Sequence, residues 1–117
     1  WGEIQAFDID PDAVRIAGEN AAANGCSRIR FSTASLIEFN ARGKTFDVIA
    51  ANILSSALLA GKDKLLSLLK VGGVLILAGI LDKEYETVRS AFESAGCRQV
   101  DTAEEKQWRG GAFVREK

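Results

Sequence analysis

Phe46-Asp47-Val48-Ile49-Ala50-Ala51-Asn52-Ile53-Leu54 is the stretch from which the fold is read. Val48 to Ala51 form an apolar run without period-two alternation, the pattern of a strand buried on both faces in a parallel sheet. The run stops at a polar residue, Asn52, and a helical pattern follows soon after. In open α/β sheets ligands bind just beyond the carboxyl ends of the strands, so Asn52 stands where chemistry is done. On position alone it is equally a turn residue, because asparagine tolerates unusual backbone angles and hydrogen-bonds its own main chain.

Working downstream, Leu58, Leu59, Leu65, Leu66, Leu68 and Leu69 give one strongly apolar helix, with Ser55 or Ser56 as its cap. Gly61 is an interior weak spot of that helix, costing about 1 kcal/mol relative to alanine. Gly72-Gly73 stops it, and Val74-Leu75-Ile76-Leu77-Ala78 is a second buried strand of the parallel kind. Asp82 caps a further helix in which Tyr85, Val88 and Phe92 share a face, and Gly96 closes it. From Arg98 to Arg115, two weakly apolar strands flank Gly110-Gly111, the expected hairpin turn.

Working upstream, Ile29-Arg30-Phe31-Ser32 alternates and reads as a strand nearer the sheet edge, followed from Leu36 to Thr45 by a connection without a clear pattern. Before it, Ile4-Gln5-Ala6-Phe7 reads as a strand ending in Asp8-Ile9-Asp10-Pro11. Asp10 is a good N-cap, Pro11 suits the first helical position, and Asp12 favours the positive end of the helix dipole. Val14, Ala17 and Ala21 form the apolar face, widened by Ala13 and Ile16, and Asn24-Gly25 ends the helix. Strand–helix alternation of this kind means an α/β fold with a mostly parallel sheet, here with an antiparallel C-terminal hairpin at one edge.

At 117 residues the chain is one domain at most. Its net charge of -1 argues against binding nucleic acid mainly through phosphates, and no apolar run approaches the roughly 20 residues that span a bilayer. Cys26 and Cys97 have no CxxC spacing and read as reduced thiols of a cytoplasmic protein. With no histidine, the Ser-His-Asp and Cys-His arrangements, histidine zinc sites and the commonest general base are all excluded. No metal site is expected.

Asp8 ends the first strand. A carboxylate there can accept both hydroxyls of a ribose, since one planar group offers two acceptors to a vicinal diol. Ile9 beside it is placed to lie against an adenine face. Asp10 already supplies the helix cap, which leaves Asp8 spare for such a role. The Gly-rich turn that normally accompanies a nucleotide site is not found upstream of Asp8, the chain opening at Trp1-Gly2.

Ala6-Phe7-Asp8-Ile9-Asp10-Pro11-Asp12-Ala13-Val14, Glu19-Asn20-Ala21, Asn24-Gly25, the Phe46–Leu54 stretch and Gly72-Gly73-Val74-Leu75-Ile76-Leu77-Ala78-Gly79-Ile80-Leu81 together resemble class I S-adenosylmethionine-dependent methyltransferases. Within that superfamily the chain is most similar to the C-terminal part of the ribosomal protein L-eleven methyltransferases, over nearly its whole length. The resemblance implies a Rossmann-like sheet of seven strands with the last antiparallel. It implies that residues 1–117 are a partial catalytic domain whose first strand and Gly-rich turn would precede Trp1, and which is inactive alone. The implied cofactor is S-adenosylmethionine, with Asp8 on its ribose and Ser35-Leu36 bordering the adenine, although many relatives carry an acid where Ser35 stands. Asn52 matches the polar residue that borders the cofactor and orients the substrate nitrogen. The implied activity is N-methylation of amino groups of a ribosomal protein in the cytoplasm.

This chemistry suits a chain without histidine. Methyl transfer from a sulfonium to a neutral amine is an in-line displacement with a good leaving group, in which proximity and orientation supply much of the rate. Two other readings remain: a fragment of an NAD-type Rossmann dehydrogenase, which also places an acid at this strand end, and a non-catalytic scaffold. Lys62, Lys64, Trp108 and Arg109 are scattered and read as a solvated surface rather than an RNA contact.

Overall fold

A computed structural model describes residues 4–26 and 28–117; the opening Trp1-Gly2 lies outside them. The chain divides into two units, Trp1–Asn40 and Ala41–Lys117.

In the first unit, β1 (Ile4–Asp8) pairs in parallel with β2 (Ile29–Thr33), from Ile4 beside Ile29 to Asp8 beside Thr33. The helix between them, α1 (Pro11–Ala23), begins as its sequence dictates. Asp10 is the N-cap and its Oδ1 accepts from the Asp12 N–H at 2.9 Å, with Pro11 at the first helical position. Asn24 caps the other end, and Gly25 takes the left-handed angle that follows. No residue of α1 is buried, and Ile16 and Ala17 of the expected apolar face are exposed. Two short strands offer too little surface to cover a whole helical stripe. Phe7 stacks on the buried Phe39, with ring centroids 4.2 Å apart.

The second unit holds a four-stranded sheet in the order β3-β4-β6-β5, built from β3 (Phe46–Ala51), β4 (Leu69–Leu81), β5 (Cys97–Glu105) and β6 (Trp108–Arg115). β3 and β4 are parallel; β6 lies between β4 and β5 and is antiparallel to both. The helix α4 (Asp82–Ser94) covers one face through Tyr85, Val88 and Phe92, all at 0 % exposure, against Leu75, Leu77 and Phe113. The Phe92 and Phe113 rings meet at 6.3 Å. Arg115 reaches back to donate Nη1 to the carbonyls of Leu66, at 2.8 Å, and Leu69, so a charged group satisfies the end of the preceding helix.

The run Val48 to Ala51 is not covered on both faces. Val48, Val74 and Val114 form one row across the sheet and Ala50, Ile76 and Ala112 the next, and this second face lies open, with Val48 and Ile76 each 42 % exposed. β3 is also an edge strand of its sheet. The absence of alternation therefore reports an apolar side that this unit does not cover by itself.

The leucine-rich helix is two helices, α2 (Ser55–Ala60) and α3 (Lys62–Leu68), broken at Gly61, which serves as the C-cap of one and the N-cap of the other. Neither Ser55 nor Ser56 caps α2: the N-cap is Leu54, and the Ser55 hydroxyl instead donates to Glu84 Oε1 at 2.8 Å. Asp82 likewise opens α4 without capping it and pairs with Arg109 at 3.6 Å. Gly72-Gly73 lies inside β4, at an irregularity in its pairing with β3, since the helix has already ended at Leu68.

The hairpin turns at Lys106-Gln107, where Lys106 has φ 58°, and Gly110-Gly111 lies within β6. What those glycines provide is space for close packing rather than a turn. Arg109, weighed above as an RNA contact, is engaged inside the unit. It pairs with Asp82 and Glu104, the latter at 3.5 Å, and stacks 4.6 Å from the Tyr85 ring centroid. Cys26 is exposed and Cys97 buried, both as free thiols. Among the described residues no helix is long and apolar enough to cross a membrane, and no cluster of three or more His, Cys, Asp and Glu side chains is placed to hold a metal.

Candidate functional site

The first unit brings Asp8, Ile9, Ser35 and Leu36 together at the carboxyl ends of β1 and β2. The Asp8 carbonyl accepts from the Ala34 N–H at 2.9 Å, which sets the turn after β2 beside the turn after β1. The Asp8 carboxylate is exposed, and its Oδ1 accepts from the Asp10 N–H at 3.0 Å. Oδ2 has no partner among the described residues. Ile9 is 70 % exposed beside it, an apolar surface next to an open carboxylate. A diol and a flat apolar ring are what such a pair can hold.

Ser35 is less free than the sequence implies. Its N–H donates to Glu38 Oε1 at 3.1 Å and its Oγ accepts from the Glu38 N–H at 3.2 Å, the reciprocal bonds of a capping box on a single turn. Leu36 is half-buried within that turn. Ser35-Leu36-Ile37-Glu38 carries the S-x-x-E signature, so the signal was in the sequence, although no apolar helix follows to draw attention to it.

The Ser35 backbone N–H foremost, and its side-chain hydroxyl second, hold the Glu38 carboxyl below its ordinary value of 4.5. A depressed carboxylate contributes stability above that ordinary value and loses it as pH falls through the folded-state value. Carbon-detected NMR titration is expected to place the Glu38 midpoint below that of an exposed glutamate. Ser35→Ala is expected to return it part of the way, since the backbone bond remains. An unshifted midpoint in the wild-type chain would remove the capping box.

In the second unit Asn52 follows β3 directly and is exposed. The Ala51–Leu77 pairing delivers it beside Ala78-Gly79, where the chain leaves β4's pairing with β3. A Cβ built on Gly79 would lie 2.1 Å from Asn52 Oδ1, 3.2 Å from its Cγ and 3.9 Å from Nδ2, and Gly79 has φ +73°. The carboxamide therefore rests on Gly79 with its oxygen in the space a side chain would take. Three residues on, the Ser55–Glu84 bond ties the same loop to α4. Asn52 thus offers an acceptor and a donor at a strand's carboxyl end, on a loop fixed at two points. The role of Gly79 was not read from the sequence, where Ala78-Gly79-Ile80-Leu81 appears only as a motif.

Comparison with known proteins gives the family. Residues 2–116 match the sequence model of a family described as Ribosomal protein L11 methyltransferase (PrmA). The ribosomal protein L11 methyltransferase of Pelobacter propionicus is 38 % identical over 108 residues, covering 92 % of this chain and 34 % of that protein. The Brucella suis protein of the same name is 37 % identical over 109 residues, covering 90 % and 38 %. The chain thus spans about a third of the length of the curated relatives it matches.

Among solved structures, the ribosomal protein L11 methylase of Lactobacillus delbrueckii subsp. bulgaricus superposes with a TM-score of 0.87 at 30 % identity, over 98 % of this chain and 58 % of that one. The N-methyltransferase NodS of Bradyrhizobium japonicum, in complex with S-adenosyl-L-homocysteine, shares the fold alone. It is 15 % identical with a TM-score of 0.80, over 98 % of this chain and 67 % of its own. The fold is the Rossmann-like α/β fold of these methyltransferases. With residues 2–116 matched by its sequence model, the chain belongs to the ribosomal protein L11 methyltransferase family.

Proposed function

We propose that this chain is the C-terminal catalytic part of a longer S-adenosylmethionine-dependent N-methyltransferase that acts on amino groups of a ribosomal protein in the cytoplasm. The observation that carries the reading is the family match over residues 2–116, joined to an open Asp8 carboxylate at one strand end and a seated Asn52 carboxamide at another. The share of its relatives that the chain spans supports the partial domain, as does the open apolar face Val48, Ala50, Val74, Ile76, Ala112 and Val114. An exposed apolar face of this kind marks a surface for another segment or partner. On this reading the chain alone is inactive and the longer protein is active.

The residues fit the cofactor in part. The free oxygen of Asp8 is an acceptor for ribose hydroxyls, and Ile9 gives the adenine an apolar neighbour. Ser35 borders the site through its position; with its N–H and hydroxyl both bound to Glu38, it is the turn around Leu36 rather than a Ser35 hydrogen bond that shapes this edge. S-adenosylmethionine, when bound, supplies an electrophilic methyl carbon and a neutral thioether leaving group. The protein has only to bind, orient and keep the amine neutral. Asn52 does the orienting: its carbonyl accepts one N–H of the amine and so aims the lone pair, which requires no proton transfer from a side chain.

The test is calorimetric titration of S-adenosylhomocysteine into the protein as its gene encodes it. Binding is expected, Asp8→Ala is expected to weaken it at least about tenfold, or roughly 1.4 kcal/mol, and NAD is expected to give no heat. A folded protein that binds NAD and not S-adenosylhomocysteine would be a dehydrogenase relative, and one that binds neither would be a scaffold.

A further inference from the structure

The amide of Asn52 has no room to stand where it does unless residue 79 lacks a side chain. Oδ1 lies 2.1 Å from the position a Cβ on Gly79 would occupy, about half the separation of non-bonded atoms in contact. Gly79 also holds φ +73°, a left-handed angle that other residues adopt only with strain. The two features turn the backbone of β4 so that the open side of Gly79 faces the end of β3. The loop cannot move aside freely, because Ala51 is paired to Leu77 on one side and Ser55 is bonded to Glu84 on the other.

We propose that Gly79 is a positioning residue for Asn52: its missing Cβ is the seat that fixes the direction of the Asn52 carbonyl oxygen. The inference deepens the methyltransferase reading and rests on it only for the meaning of that direction. The seat itself is a matter of packing and is tested apart from activity. With Gly79→Ala, the added methyl displaces the amide, so the acceptor no longer points where the amine nitrogen is held. The effect falls on turnover and leaves the Asp8 end of the cofactor untouched.

The experiment is a double-mutant cycle of Gly79→Ala and Asn52→Ala in the protein as encoded, read by urea unfolding, by the Asn52 side-chain amide pair in 15N–1H spectra, and by kinetics. Gly79→Ala is expected to shift the Asn52 amide pair, to lower kcat at least tenfold and to leave KM for S-adenosylmethionine within twofold. Its effect on the unfolding constant is expected to be about twofold smaller when Asn52 is already alanine, a modest difference because the displaced amide is the exposed end of a flexible side chain. The strained angle is common to both backgrounds and cancels. Should Gly79→Ala fail to fold while the double variant folds, the seat is confirmed; should neither fold, or should the effect be equal in both backgrounds, Gly79 serves the backbone alone and the proposal is overturned. A wild-type protein without methyl transfer would end the functional reading, while the unfolding cycle and the amide signal would still decide the seat.

Discussion

Gly111→Ala is expected to destabilise the protein by about 4 kcal/mol, of which 1–3 is overpacking and 1–3 the loss of a buried hydroxyl's partner. A Cβ on Gly111 would lie 2.0 Å from the Tyr85 hydroxyl, 3.2 Å from its Cζ and 3.3 Å from Phe113 Cε1. Tyr85 cannot retreat, being at 0 % exposure under α4 with its hydroxyl donating to Gln99 Oε1 at 2.5 Å. A methyl at Gly111 must therefore push the ring off Phe113, break that bond, or lift β6 from the helix. Urea unfolding measures the effect, and the background identifies its cause. In Tyr85→Phe the nearest atom is gone and the cost of Gly111→Ala is expected to fall by more than half. An equal cost in both backgrounds would mean that the strand, not the tyrosine, rejects the side chain.

Gly111 also shows where the sequence was legible and where it was not. Strand and helix positions follow from local patterns, so the Asp10-Pro11-Asp12 start of α1, the Tyr85–Val88–Phe92 face of α4 and the antiparallel hairpin are all recovered. Gly110-Gly111 was read as the turn because paired glycines make turns; the structure uses them inside β6, where tertiary contact with Tyr85 and with the Leu77 carbonyl excludes any Cβ. The true turn, at Lys106-Gln107, has no turn-forming residue to announce it and is set by the register of Glu105 beside Trp108. The serines and Asp82 failed as caps for a related reason. Each sits one position or more inside its helix, and Ser55 and Asp82 bond to groups distant in sequence.

The candidate site divides in the same way. The strand-end positions of Asp8 and Asn52 were legible, the first because Asp10 already performs the capping and the second because a run of small and branched apolar residues leads to it. The bonding of Ser35 was not read from the sequence, since a capping box without a following helix resembles an unstructured connection. Gly79 was beyond sequence reading altogether: its importance lies in what a side chain from another strand does with the space.

Asn52→Ala is expected to lower kcat by about 100-fold, the loss typical of misplaced reacting groups, with S-adenosylhomocysteine binding weakened far less. On the proposed function, truncation removes the acceptor that aims the amine, and it adds nothing at Gly79, so stability is expected to hold. Asn52→Asp separates aiming from charge. A carboxylate accepts the same N–H, yet a negative charge beside an amine favours its protonated form, which has no lone pair to offer the methyl group. The aspartate variant is therefore expected to be slow near neutrality and to recover as pH rises, with its pH–rate profile displaced to the alkaline side of the wild type. Parallel kcat profiles from pH 6 to 10 would show this. If the aspartate variant matched wild type across that range, Asn52 would not meet the amine, and the carboxamide on Gly79 would be a structural contact only.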